Sequence, residues 1–403
     1  MKQSNNRLSG ETKRYMLLRI IFSAGCVILN LFISTFLLKS YGSFSRELIS
    51  YNIILRFFQP VGVFLALVLT RKFAPKLTQA LGLLMYFVSL VLLCVFGDGV
   101  SGLYPVFAVL LGFADAFYYG VNTMQMLTFT KDDNRDRFNG ILGLISGIVS
   151  LILPLLCGYF IQYFPDFTGY QIIFGAAAVC IGVSLAFTLT LDIPRPTTTA
   201  GIGSTLKRIL GNGNCMLCII ANGLTHCRAS VLGTFLTMLV YNLISNEAVI
   251  GLRSSLSSMA SLISVAIYGM FIRSENRTKG SILAVGLVLL PCVWMLFGLN
   301  VPVLMVFSVV YAFAGTFLST PISFTYFKAV ERLNLHGPEG AAVQFAADIF
   351  VAIFGVSGYV LLAVVPKTNY WAVGVIVAMI LTSVVSTLLV HKADKNMNIR
   401  EKV

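Results

Sequence analysis

Charge is what this sequence has least of. Only 11% of its 403 residues are Asp, Glu, Lys or Arg, against about 25% in a soluble domain. A soluble fold so poor in charge has no surface to offer water, so the composition excludes an ordinary water-soluble protein. No G-x4-G-K-[ST] run is present, which argues against ATP-driven work by this chain alone. No polar stretch is long enough for a soluble catalytic domain, and neither enzyme activity nor a cofactor is expected. Residues 1–15 are polar and basic, and the first apolar run is too long for a signal h-region, so no signal peptide is expected. The eight cysteines do not make a disulfide framework. Nearly all lie inside apolar runs, where a thiol serves as a small core residue. Cys215-x-x-Cys218 with His226 nearby lacks a second pair to complete four zinc ligands, so no metal is expected.

What the sequence has in abundance is apolar residues, 57% of the total. A helix needs about 20 mainly apolar residues to cross the hydrocarbon core. Twelve such spans are read: 16–38, 49–70, 79–97, 103–127, 139–162, 169–191, 214–242, 248–272, 281–299, 302–326, 340–364 and 370–390. Open strands cannot cross a bilayer, so the expectation is an all-α membrane protein of twelve helices. The longest loop, around 192–213, is rich in Pro, Thr and Gly and marks a linker between an N-terminal half (1–191) and a C-terminal half (214–403). Thr205–Leu210 within it reads as a short basic amphipathic turn. With the N-terminus inside, 22 of the 29 Lys and Arg fall in inner segments, three in outer loops and four within spans. That bias predicts both termini in the cytoplasm, and it gives the +13 formal charge a source in basic loops rather than nucleic-acid binding. The loop 130–137 (TKDDNRDR) reads as solvated.

The chain also repeats itself. Residues 106–120 read VFAVLLGFADAFYYG and 306–320 read VFSVVYAFAGTFLST. Val106, Phe107, Val109, Phe113, Ala114 and Phe117 recur 200 positions on. Gly158-Tyr159 recurs as Gly358-Tyr359, and Tyr170 as Tyr370. Both copies cross in the same direction, which is a parallel repeat of six helices. One copy carries Asp115 where the other has Gly315.

Twelve spans, a 6+6 parallel repeat, a long basic middle loop and inner termini together resemble the major facilitator superfamily over essentially the whole chain. That superfamily's loop between helices two and three usually reads G-x3-D-R-x-G-R-R. Here ALVLTRKFAPK keeps Arg71-Lys72 and later Lys76, with Ala66 for the first Gly and Thr70 for the Asp. The mate after the eighth span, GMFIRSENRTK, keeps Gly269 and Arg273. The resemblance implies a pseudo-symmetric 6+6 bundle, inner gating contacts at Arg71 and Arg273, and a central site lined by helices one, four, seven and ten. The drug-antiporter signature G-P-x-x-G-G is met only by Pro154 and Gly158 in LPLLCG.

Ionisable groups at bilayer depth cost about 2.5–3.5 kcal/mol or more, so each needs a partner, a wet cavity or a job. Arg19 and Arg253 lie near span ends, within snorkelling reach of the interface. Asp115 and Arg228 lie near midspan and cannot snorkel. Tyr118, Tyr119 and Asn122 follow Asp115 on one helix face. Asn222 and His226 accompany Arg228, while Asn30, Tyr311 and Thr316 lie on the other expected lining helices. These ten residues are the expected substrate and proton site. Two readings stand for Asp115: a buried carboxyl fixing helix packing, or a site of reversible protonation, answered by Arg228. Arg56 and Asp348, on spans two and eleven, are expected either to pair in one conformation or to make separate helix contacts. The serine run on span eight (254–264) reads as close helix packing. The function expected is proton-coupled secondary transport of a small organic molecule by a monomer in a bacterial cytoplasmic membrane. The alternatives are a drug or metabolite exporter and a non-transporting receptor or assembly protein on the same scaffold.

Overall fold

The computed structural model of the chain describes residues 10–42, 45–129, 132–191, 202–272, 276–333, 338–364 and 370–400. Six long helices come first: α1 (Gly10–Tyr41), α2 (Arg46–Lys72), α3 (Pro75–Phe96), α4 (Tyr104–Phe129), α5 (Asp132–Gln162) and α6 (Thr168–Thr190). The short α7 (Ile202–Gly211) precedes six more: α8 (Gly213–Ile244), α9 (Glu247–Phe271), α10 (Arg277–Met295), α11 (Val301–Glu331), α12 (Pro338–Val364) and α13 (Trp371–Arg400). Among the described residues, eleven stretches are long and apolar enough to cross a membrane. One of them, Pro75–Asn122, holds both α3 and α4, parted by a 3-10 turn at Gly97–Leu103, so the crossings number twelve. An even number brings both chain ends to one face of the bundle, called the near end below; the turn between α1 and α2 lies at the far end.

The helices begin where the sequence supplies caps. Ser45, Asn212, Asn246 and Asn300 each accept a hydrogen bond from the backbone N–H three residues on, a device worth about 1 kcal/mol apiece. Ser245 ends α8 with φ 44°, and Asn246 caps α9 at once. Together they reverse the chain in two residues. Several helices overrun their apolar spans: α1 starts at Gly10, α11 ends at Glu331 and α13 runs to Arg400. The stretch 132–137, expected as loop, is instead the first turns of α5. Acidic residues at a helix start favour that outcome through the helix dipole. The amphipathic turn at 205–210 is part of α7, whose Ile209 is buried against Cys215, Ile219, Val343 and Ala346.

Helices α1–α6 pack among themselves, as do α8–α13, in the expected 6+6 arrangement. Two helix pairs, α5 with α9 and α2 with α12, make the main contacts between the halves, and the repeat relates one pair to the other. In the fourth and tenth crossings some matched positions share burial: Phe107 and Phe307 are buried, as are Ala114 and Ala314, while Val106 and Val306 are exposed. The matched tyrosines do not, since Tyr170 and Tyr359 are buried and Tyr370 and Tyr159 exposed. Leu156, Ile282, Leu283 and Leu388 are among many large apolar side chains on the outside, as lipid contact requires. At the α5–α9 joint the backbones almost touch. A Cβ on Gly158 would meet Glu247 O at 2.6 Å, and one on Gly251 would collide with Pro154 O. Small residues permit this closeness.

Candidate functional site

Between the halves lies a cavity of about 740 Å³, walled by α1, α2, α4, α5, α8 and α9. Each helix contributes a stripe at helical spacing. On α1 the stripe is Arg19, Ser23, Cys26, Asn30 and Ser34. On α8 it is Ser230, Gly233, Thr234 and Thr237, one face by the i, i+3, i+4, i+7 rule. Tyr51, Asn52 and Arg56 come from α2, Asp115 and Tyr119 from α4, and Arg253, Ser254 and Ser258 from α9. A second cavity of about 510 Å³ lies against α8, α9 and α11, and Ala229 belongs to both walls.

The expected site residues divide into three groups. Asp115, Tyr119 and Asn30 line the central cavity. Arg228, Asn222, His226, Tyr311 and Thr316 line the second. Tyr118 and Asn122 line neither. Tyr118 is fully buried and stacked on Phe22 of α1, with ring centroids 3.5 Å apart. Asn122 accepts a hydrogen bond from Tyr15 at 2.8 Å. The face of α4 that begins at Asp115 is therefore shared: its first residues meet the cavity and the next turn is roofed by α1.

The Asp115–Arg228 pairing is not formed. Asp115 accepts a hydrogen bond from the Tyr86 hydroxyl of α3. Arg228 donates through Nη1 to Ser383 and lies 5.7 Å from the Tyr311 ring centre. Arg228 is one residue from Ala229 and two from Ser230, and a helix turns about 100° per residue. It lies near the middle of α8, but its face is towards α11 and α13. The partner expected on a second helix is supplied instead by a tyrosine hydroxyl within the first half.

Arg19 and Arg253 also differ from expectation. Neither is left to reach for the interface alone; both line the central cavity. Arg253 is 7% exposed and donates through Nη2 to Thr237 Oγ1 at 2.7 Å. A long side chain near a helix end can turn inward as readily as outward, and the helix face decides which. Arg56 donates to Gln59 Oε1 at 3.0 Å and across the halves to Ser230 Oγ at 2.8 Å. It lies against Gly355 of α12, seven residues and so about 10 Å along that helix from the buried Asp348. The Arg56–Asp348 pair is thus not the arrangement of this conformation. Arg71 is exposed in the last turn of α2, and Arg273 lies outside the described residues. The serine run is mixed in use. Ser255 is buried and Ser264 bonds Phe313 O, while Ser254, Ser258 and Ser261 line the cavities.

A cluster at the far end was not foreseen. Glu247, at the start of α9, accepts a hydrogen bond from Tyr170 of α6 at 2.9 Å and lies 3.9 Å from Lys39 of α1. Lys39 also donates to Asp166 O at 2.6 Å and sits 5.3 and 5.4 Å from the Phe167 and Tyr170 ring centres. Tyr359 of α12 donates to Asn52 of α2 at 3.2 Å. With Arg56–Ser230, these are polar ties between the halves, all in the far part of the bundle. Tyr170 and Tyr359 were visible in the sequence only as marks of the repeat.

A model of the Major Facilitator Superfamily matches residues 15–334. A Bacillus subtilis (strain 168) protein, described as uncharacterized protein YqgE, is 23% identical over 308 residues, 76% of this chain and 71% of its own length. Among solved structures, a point mutant of the nucleoside transporter NupG aligns with TM-score 0.71 at 10% identity, covering 95% of this chain and 100% of that one. A bacterial homologue of the iron transporter ferroportin in its inward-facing state aligns with TM-score 0.66 at 14% identity, covering 95% and 98%. At such identities the likeness is one of fold.

Proposed function

The chain belongs to the major facilitator superfamily, and from that premise we propose that it is a secondary active transporter of a small organic molecule. Residues 1–191 and 214–403 form the two moving halves and 192–213 the linker. The halves rock about the central cavity, which opens to each side of a bacterial cytoplasmic membrane in turn. The near end, with both chain termini, faces the cytoplasm, in line with the bias of Lys and Arg. The observation that carries this reading is a cavity of small-molecule size, lined by both halves and holding Arg19, Arg56, Asp115 and Arg253 at membrane depth. Ionisable groups there mark substrate and ion paths.

Asp115 is the proton site of this proposal. Among the described residues it is the one carboxylate on the cavity wall, and carboxyls at membrane depth serve as proton relays in pumps and transporters. The ties Tyr170–Glu247 and Asn52–Tyr359 serve as the far gate. The test is uptake of a labelled metabolite panel into proteoliposomes with and without an imposed pH gradient. Asp115→Asn should lose the acceleration by the gradient while keeping substrate counterflow. Gradient-driven uptake unchanged in the mutant would remove Asp115 from coupling. No flux for any compound, with folded protein, would favour a receptor on the same scaffold.

A further inference from the structure

We propose that the central cavity selects an organic anion, held between Arg253 of one half and Arg19 and Arg56 of the other. The inference deepens the transport reading and rests on it only in taking this cavity as the substrate's place. Among the described residues, three guanidinium groups line the cavity and one carboxylate faces them, Asp115. Two formal positive charges are therefore left over on the wall of a site at membrane depth.

Among the described residues neither Arg253 nor Arg56 makes an ion pair. Among the hydrogen bonds of the described residues, Arg253 meets the hydroxyl of Thr237, and Arg56 meets the amide of Gln59 and the hydroxyl of Ser230. All three acceptors are neutral. The Nε of Arg253 and the Nε of Arg56 are buried with no partner. Buried charges are ordinarily paired with an opposite charge, because desolvation is not recovered otherwise. A guanidinium has five N–H donors in a planar fork, matched in shape to a carboxylate or a phosphate. A ligand bearing such a group supplies both the missing charge and the missing acceptors. A divalent cation as cargo would meet the same excess charge as repulsion.

The placement of the three groups adds a mechanical consequence. Arg253 is on α9, in the second half, and Arg19 and Arg56 are on α1 and α2, in the first. An anion bound by both sets is a charge bridge across the moving interface. Its binding energy then differs between conformations that hold the halves at different angles, which is what a ligand needs in order to shift their populations. The exposed ring of Tyr119, with Val27 and Leu55, leaves an apolar wall for the body of the molecule.

The full chain, purified in detergent, tests this by thermal shift against matched compounds at constant ionic strength: carboxylates and dicarboxylates, organic phosphates, and the neutral amides, alcohols and amines of the same skeletons. Saturable stabilisation by anionic members alone is the expected result, and the carboxylate and phosphate arms separate the two head groups. Arg253→Gln should weaken the best anion about tenfold or more, as loss of a charge-assisted contact does. Arg19→Gln is the second variant, in the other half, should Arg253→Gln fail to fold. Asp115→Asn should tighten anion binding, since it removes the opposing charge. Stabilisation by neutral or amine compounds to the same degree, no saturable shift with any anion, or equal affinity in the folded arginine variants would each overturn the proposal. The assay needs no gradient and no vesicle. Anion binding without flux would leave this inference standing and sink the transport reading; pH-driven flux of a neutral compound would do the reverse.

Discussion

Removing Glu247 should open the far end. In the structure this side chain, buried at the start of α9, takes a hydrogen bond from Tyr170 at 2.9 Å and faces Lys39 at 3.9 Å, and both partners belong to the other half. A hydrogen bond to a charged group contributes about 1.5–3 kcal/mol. The Lys39 side chain is 29% exposed, so its ion pair adds no more than about 1 kcal/mol. In a far-open conformation all three groups return to water, so the contribution belongs to the closed state alone. Taking about 2 kcal/mol for Glu247→Ala, the far-open population should rise roughly 30-fold at about 1.4 kcal/mol per decade. Glu247→Gln keeps an acceptor for Tyr170 and should fall between mutant and wild type. Cys26, buried on the cavity wall, is a native reporter. A membrane-impermeant maleimide added to the far face of proteoliposomes would alkylate it at a rate set by that population, read by peptide mass spectrometry. Asp98→Asn is the control, because Asp98 is an exposed far-end carboxylate bonded to Ser40 of its own half. Labelling of Glu247→Ala at the wild-type rate, in protein of wild-type melting temperature, would refute the gate.

Two glycine substitutions probe the same geometry from the packing side. Gly251→Ala places a Cβ into the carbonyl of Pro154 at the α5–α9 joint; overpacking of this kind costs about 1–3 kcal/mol, so a lowered melting temperature together with faster far-side labelling of Cys26 is expected. Gly315→Ala meets nothing within 4 Å of the new Cβ, on the wall of the second cavity. It should raise stability by about 0.4–1 kcal/mol through the unfolded chain, seen as an equal or higher melting temperature; a fall would mean that the wall at Gly315 is not open space.

The twelve crossings were legible because a bilayer allows so few ways across. A run of about 20 apolar residues must be a helix, and the offset of 200 residues marked which helices correspond. The ends were less legible, since hydropathy reports the hydrocarbon and not the helix. Gly10–Tyr15, Asp132–Phe138 and His391–Arg400 are helical beyond it. At α10 the error ran the other way: the apolar run continues to Leu299, but the helix stops at Met295, and Gly298 adopts φ 153° beyond it.

The site was legible in part, and the part missed has a physical cause. Depth in a span gives the distance from a charged group to water; it says nothing about which way the helix faces. Ranking ionisable residues by depth singled out Asp115, which lines the central cavity, and Arg228, which lines the second one instead. The missing information was periodic. On α8, Asn222, Thr225, His226 and Ala229 are spaced i, i+3, i+4, i+7, and Ser230, Gly233, Thr234 and Thr237 repeat that spacing on a second face. The two stripes face the two cavities. The same test decides Arg19. Ser23, Cys26 and Asn30 follow it at i+4, i+7 and i+11, a polar stripe that lipid would not tolerate. An arginine heading such a stripe belongs to the cavity, however close it lies to the interface. One followed at those positions by leucine or phenylalanine would belong to the interface.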